Sequence, residues 1–261
     1  MRILFIGDIV GKPGRRAIER LLPRITAEEK IDFTIANGEN AAGGMGLTAE
    51  IAVELLNHGV DVLTSGNHIW AKKEIRSFLK EERKLLRPAN YPEGAPGRGS
   101  GVFQSREGEK IGVLNLEGRV FMRNLDCPFK VAEKEIEEMK KETDTIVVDF
   151  HAEATSEKIA LGWFLDGKVS AVLGTHTHVQ TADERILNAG TAYMTDAGMT
   201  GPLASVIGIR KQIALSRFLT QIPSQFDVAT GEIELQGAVV EVDSETGKSK
   251  NIKRIRVSLK D

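Results

Sequence analysis

Short apolar runs alternate with helical spacings through the first two-thirds of the chain. Arg2–Ile6 reads as a compact buried strand ending in Gly7-Asp8, and residues 14–22 then place Ala17, Ile18, Leu21 and Leu22 at helical spacing. Pro13 suits the entry to that helix, and Pro23 is expected to bend or end its first part. Residues 33–36 form a second strand running into Asn37-Gly38-Glu39-Asn40. After a glycine-bearing loop, Leu47, Ile51 and Leu55 recur at i, i+4 and i+8, and Asn57-His58-Gly59 is a helix stop. Residues 60–63 predict a third strand that leads into Thr64-Ser65-Gly66-Asn67-His68, and Ile75, Phe78 and Leu79 carry the next helix.

Residues 88–101 hold three of the eight prolines and four glycines, so they read as a loop. Residues 102–105 and 111–116 predict a hairpin, and 130–142 a charged, exposed helix. Residues 146–150 are a further strand ending at His151; a helix carrying Ile159, Trp163 and Phe164 leads to a strand at 171–173, followed by Gly174-Thr175-His176-Thr177-His178. The last 35 residues change character, with Ile233–Val242 and residues 252–259 reading as neighbouring strands around Glu245-Thr246-Gly247-Lys248. Alternating βα units and a β-rich tail predict α/β layers in a single domain over residues 1–261.

Composition removes several function classes. Thirty-five Lys and Arg against 37 Asp and Glu leave a formal charge of −2, which argues against a generalised electrostatic grip on nucleic acid or membrane. With 41% hydrophobic residues the 261-residue chain has enough apolar surface for a core. The single cysteine, Cys127, excludes an intrachain disulfide framework and a cysteine-based zinc cluster. No stretch approaches the length of a membrane span or a signal-peptide core, so a cytoplasmic protein is expected.

The informative polar residues share a position. Asp8, Glu39, Asn40, Asn67, His68, His151, His176 and His178 all lie just past the ends of predicted buried strands, the rim where α/β sheets bind ligands. Taken singly, Asp8 reads as a turn or cap, Glu39-Asn40 as turn chemistry, Asn67 as a helix N-cap and His151 as a hydrogen-bonded core histidine. His176-Thr177-His178 is the stronger signal, because two imidazoles separated by one residue reach one locus when the loop turns between them. Seven nitrogen and oxygen ligands exceed one tetrahedral ion and fit two ions sharing a carboxylate, an arrangement suited to phosphoryl transfer to water. His58 precedes a helix-ending glycine and carries no assigned chemistry. The basic cluster Lys12, Arg15 and Arg16 reads as a solvated helix face.

The order of these motifs resembles the calcineurin-like metallophosphoesterases. More narrowly, Ile6-Gly7-Asp8-Ile9-Val10-Gly11, the run 36–44 and the run 195–202 are similar to the YmdB-like branch, and the likeness spans nearly the whole chain. Asp8 is not followed by the Asp-x-His histidine of the wider superfamily, and Glu39 stands where that superfamily bridges its metals with Asp; both departures match the branch. The resemblance implies a four-layer αββα sandwich. It implies that Asp8, Glu39, Asn40 and His178 hold one metal, that Glu39, Asn67, His151 and His176 hold the second, and that His68 is the general acid. The implied activity is phosphodiester hydrolysis, including 2′,3′-cyclic nucleotides such as 2′,3′-cyclic AMP, by attack of a metal-bridging hydroxide. Iron or manganese are the implied ions, with zinc as an alternative, and homo-oligomers are implied as the assembly.

Three other readings stay open on the residues themselves. A phosphomonoesterase or nucleotidase uses the same two ions; a metal-dependent amidohydrolase is suggested only by His176-x-His178; a non-catalytic, metal-dependent nucleotide sensor needs no acid. His68 beside Asn67 is surplus to coordination and favours catalysis over the sensor. RNA is an alternative, longer substrate, accommodated by a local groove.

Overall fold

The strand Arg2–Ile6 buries both of its faces, and its alternation sets the layering. Ile3 and Phe5 lie in one apolar cluster with Phe33, Ile35, Val113, Val147 and Leu173, whereas Leu4 and Ile6 lie in another with Ala17, Ile18, Leu21 and Leu22. A third cluster joins Leu114, Leu116, Val148 and Phe150 to Ala132, Ile136 and Leu161. Each fully buried large apolar side chain in these seams stabilises the fold by roughly 1.5–3 kcal/mol.

In the computed structural model, which describes residues 1–260, the chain begins β1 (Arg2–Ile6), β2 (Asp8–Ile9), α1 (Gly11–Glu29), β3 (Phe33–Asn37), α2 (Ala49–Asn57) and β4 (Val62–Thr64). A 3₁₀ turn at Ile69–Ala71 precedes α3 (Ile75–Glu81), then come β5 (Ser100–Gln104), β6 (Lys110–Glu117), α4 (Pro128–Met139), β7 (Ile146–His151), α5 (Thr155–Phe164) and β8 (Ala171–Thr175). The remainder is β9 (Arg185–Ile186), β10 (Ala192–Met194), β11 (Met199–Pro202), α6 (Lys211–Thr220), β12 (Ile233–Val242) and β13 (Ser249–Leu259). One sheet runs β2-β11-β12-β1-β3-β4 with β13 paired to β12; the other runs β5-β6-β7-β8-β10-β9. The first and third clusters put helices on the outer faces, and the second fills the seam between sheets, which is the αββα sandwich expected from the resemblance.

β1, β3 and β4 are parallel, as are β6, β7 and β8, so their C-terminal ends gather at one edge. The tail strands β12 and β13 pair antiparallel over most of their length, and β12 joins β1 antiparallel, locking the C-terminal ribbon into the centre of the first sheet. The hairpin of β5 and β6 also forms as the alternation predicts.

Three elements differ from the sequence reading. α1 is continuous from Gly11 to Glu29 with Pro23 inside it. Pro23 and Glu19, whose carbonyl loses its helical partner, are both exposed, so the defect lies on the solvent face of the helix. In α5 the expected apolar face is out of phase, because Ile159 and Trp163 are exposed while Lys158 and Leu161 are buried. Residues 203–232, unassigned by apolar spacing, contain α6, whose Leu215, Phe218 and Leu219 are exposed. Arg15 is not a freely solvated member of its basic cluster, since it donates to Ala41 O at 2.9 Å and pairs with Glu54 at 3.2 Å. Among the described residues no helix is long and apolar enough to cross a membrane.

Candidate active site

The gathered strand ends bring all eight rim residues to one place. β2 carries Asp8, β3 runs into Glu39 and Asn40, β4 into Asn67 and His68, β7 ends on His151, and β8 runs into His176 and His178. Two local features allow the approach. A Cβ on Gly66 would lie 2.1 Å from Cδ2 of His151, so only glycine lets the β4 loop pass over that ring. His176 and His178 both adopt positive φ, 100° and 64°, which folds the His-Thr-His segment back on itself and turns both imidazoles inward. Gly66→Ala is therefore expected to push His151 out of register and reduce both bound metal and turnover. Metal analysis of the purified variant checks this; full occupancy would contradict it.

Nε2 of His151 is a point of convergence, with Asn67 Oδ1 at 3.0 Å, His176 Nδ1 at 3.1 Å and Glu39 Oε1 at 3.3 Å. Glu39, His151 and His176 place one ligand atom each within 4.8 Å of one another. A second grouping adjoins it. Asn40 Nδ2 lies 3.0 Å from Glu39 Oε1 and 3.2 Å from His178 Nε2, and that nitrogen is 3.7 Å from Asp8 Oδ1. Asp8 Oδ1 is buried without a hydrogen-bond partner. Asn40 presents its NH₂ to this grouping and its Oδ1 to His68 Nδ1, 2.9 Å away. An amide nitrogen does not bind a cation, so ligation by Asn40 requires the amide to turn over.

Each of the three histidines is tied at its outer nitrogen. His178 Nδ1 donates to Ile207 O at 2.8 Å, His176 Nε2 faces Glu153 Oε2 at 3.0 Å, and His151 Nδ1 lies 2.9 Å from Thr175 Oγ1. Thr175 Oγ1 in turn donates to Asp149 Oδ1 at 2.7 Å, which leaves its lone pair for the His151 N–H. Outer N–H groups held by acceptors fix the tautomer and aim the remaining nitrogen lone pairs at the centre, the arrangement of metal-binding histidines.

The electrostatics agree with a site for positive charge. Burial pushes the Asp8 carboxyl pKa up, against the pull of His178 and His151. Burial also acts to raise Glu39, but His151 and His68 overcome it and hold that carboxylate well below its ordinary range. Burial acts to lower His151, yet Glu39 and then Asp8 carry it up to about 9, while burial and His151 push His176 down to about 3. His176 is thus deprotonated and ready to ligate at neutral pH, whereas a cation reaching His151 displaces a proton. Because the proton on His151 binds the metal-free fold more tightly than the free side chain, its stabilisation is full below the ordinary 6.5 and fades as pH rises through about 9. Chelated protein should therefore lose stability over that window and gain metal affinity. Calorimetric titration of Mn²⁺ at pH 6.5 and pH 9 reads this, and equal affinities would contradict it.

Mixed imidazole and carboxylate donors with an orphaned buried oxygen fit a borderline or moderately hard divalent transition metal. A family model described as YmdB-like protein matches residues 4–255. The chain belongs to the YmdB-like family. It is 51% identical over 258 residues to a 2′,3′-cyclic-nucleotide 2′-phosphodiesterase of Bacillus subtilis, covering 99% of this chain and 97% of that one. Two solved structures superpose with TM-scores of 0.92: a protein of Thermus thermophilus, 43% identical and covering 99% of each chain, and a phosphatase of Mycoplasma pneumoniae, 36% identical and covering 99% of this chain and 93% of that one.

Behind the centre of this YmdB-like fold lies a supporting shell that sequence reasoning missed. Lys158 is almost fully buried and donates to Thr175 O at 2.7 Å and to Asp196 Oδ2 at 2.6 Å. Asp196 Oδ2 also accepts from Thr177 N and Oγ1, at 3.2 and 2.8 Å, and Oδ1 from Gly198 N at 2.9 Å. The residue between the two inward histidines is thereby pinned by a buried ion pair. Lys158 sits on the sheet-facing side of a helix, where apolar spacing gives no sign of it. His58 caps α2 and Cys127 precedes α4, and neither lines the cavity beside His68 and His178 or joins the cluster at the centre.

Proposed function

We propose that this YmdB-like chain is a metal-dependent phosphodiesterase acting on 2′,3′-cyclic nucleotides, 2′,3′-cyclic AMP among them. The observation that carries the reading is the set of three histidines, each tied at its outer nitrogen, with His151 and His176 converging on Glu39 and His178 on the adjoining Asn40 and Asp8. The activity named for the Bacillus subtilis relative supports the substrate class. In this reading residues 1–261 act as one domain, because strands of both sheets supply the site.

Asp8, Glu39, Asn40 and His178 would hold one ion, and Glu39, Asn67, His151 and His176 the other, with Glu39 shared. Such ions, when bound, supply Lewis-acid stabilisation of phosphoryl oxygens and activate water at neutral pH. Glu39 accepts from the His68 backbone N–H at 3.0 Å, so the shared carboxylate also fixes the loop that carries the acid. His68 Nδ1 faces the Asn40 amide, 2.9 Å from its Oδ1, and lies 3.2 Å from Glu39 Oε1; with the amide turned over for ligation its NH₂ meets Nδ1 instead, and in either orientation Nε2 is left for the leaving group. A ribose oxygen leaves poorly as an alkoxide, and protonation from Nε2 removes that charge as the P–O bond breaks. His68 is one-third exposed, in keeping with contact to a substrate arriving from solvent.

The finer reading takes iron or manganese as the ions, a cytoplasmic setting, homo-oligomeric assembly and RNA as a longer alternative substrate; the family resemblance supports these. Turnover of 2′,3′-cyclic AMP and bis-p-nitrophenyl phosphate, measured against p-nitrophenyl phosphate, tests the proposal. Faster hydrolysis of the diesters is expected. Preference for the monoester would favour a nucleotidase, and nucleotide binding without turnover would favour a sensor.

A further inference from the structure

We infer that a slot flanking His68 and His178 seats the nucleobase of the substrate, with Phe226 as its stacking platform; this rests on the phosphodiesterase reading above. Asn40, His68 and His178 line a cavity of about 380 Å³, within the range of small-molecule sites. Met45, Ile207, Phe226 and Val228 line the same cavity. Met45, Ile207 and Phe226 are 43%, 49% and 37% exposed, so apolar surface is concentrated at the mouth of the candidate centre. Its connection to three residues of that centre says what covers it: the part of the substrate beyond the reacting phosphate. For a cyclic nucleotide that part is a flat aromatic base.

The slot's shape comes from two loops held close together. Gly43 and Gly44 have φ of 68° and 89°, and a Cβ on Gly44 would approach Val228 Cγ2 to 2.9 Å. Glycine here lets the two loops close against each other where a side chain would force them apart, and that contact forms the wall of the slot. Phe226 is braced by the Arg217 guanidinium, 4.7 Å from its ring centroid. Gln225 and Asp227 flank it in sequence and also line the cavity. Ile207, a β-branched residue at φ 48°, sits in the left-handed region that disfavours its shape. Its carbonyl accepts from His178 Nδ1 while its side chain lines the slot, so one strained residue serves both the centre and the proposed base site.

The test compares wild-type holoenzyme with Phe226→Ala and Phe226→Trp. Calorimetric titration uses adenosine, and kinetics use 2′,3′-cyclic AMP beside glycerol 1,2-cyclic phosphate, a cyclic diester with no base. Phe226→Ala should weaken adenosine binding and raise KM for 2′,3′-cyclic AMP by about 5–150-fold, the range of base–aromatic stacking. kcat and the base-free substrate should be unaffected, and Phe226→Trp should restore both binding and KM. Equal adenosine affinity in wild type and Phe226→Ala, or no adenosine binding to wild type, overturns the slot even if both cyclic diesters are hydrolysed. Adenosine binding that depends on an aromatic side chain at this position, without cyclic nucleotide hydrolysis, supports the slot and defeats the phosphodiesterase reading instead.

Discussion

Replacing His68 with alanine is expected to lower phosphodiester turnover by about 10²–10⁴-fold with bound metal retained. The imidazole is held at Nδ1 by the Asn40 amide, and the backbone N–H that Glu39 accepts survives the substitution. The loss should therefore fall on kcat and not on the metal centre. It should also depend on the leaving group: p-nitrophenolate needs little protonation, so bis-p-nitrophenyl phosphate should suffer less than 2′,3′-cyclic AMP. Wild-type turnover of both substrates by this variant would remove His68 from the acid role.

The second large effect is expected at a residue that is no candidate ligand and touches the centre only through its supports. Lys158→Met keeps most of the side-chain volume but strips the counter-charge from buried Asp196, and breaking a buried pair from one side costs roughly 3–5 kcal/mol. Asp196 also holds Thr177 N and Oγ1, so its relaxation frees the segment that turns His176 and His178 inward. Chemical denaturation should report a stability loss of that size, and metal content should fall with it. Adding Asp196→Asn removes the uncompensated charge and should recover part of the stability. A stability change below about 1 kcal/mol with full metal content would show that the pair holds neither the fold nor the loop.

Much of the arrangement was legible because it is periodic or positional. Strands such as β1 and β7 announce themselves as apolar runs, and a polar residue at the end of a parallel strand falls on the binding rim wherever the strand lies in the sheet. That is why Asp8, Glu39, Asn67, His151, His176 and His178 stand out as one set, and why the αββα layering followed from the resemblance. Elements held by tertiary contact were not legible. β2 and β11 pair for only two residues, Asp8 with Met199 and Ile9 with Thr200, too few for any pattern to accumulate. Pro23 inside α1 defies its local preference because buried Leu21, Leu22 and Ile25 hold the helix to the sheet on either side. Lys158 inverts the apparent face of α5, since a lysine paired across 38 residues looks like any surface lysine in sequence. Two outer partners of the histidines, Ile207 O and Glu153, were equally hidden, because a backbone carbonyl has no residue type and Glu153 belongs to no motif.

The most direct test is elemental analysis of the purified protein joined to phosphodiesterase assay before and after chelation. About two transition-metal ions per chain are expected, with activity lost on chelation and restored by Mn²⁺ or Fe²⁺. Absence of bound metal with no activity on 2′,3′-cyclic AMP after reconstitution would contradict this, and the inward histidines would then need another explanation.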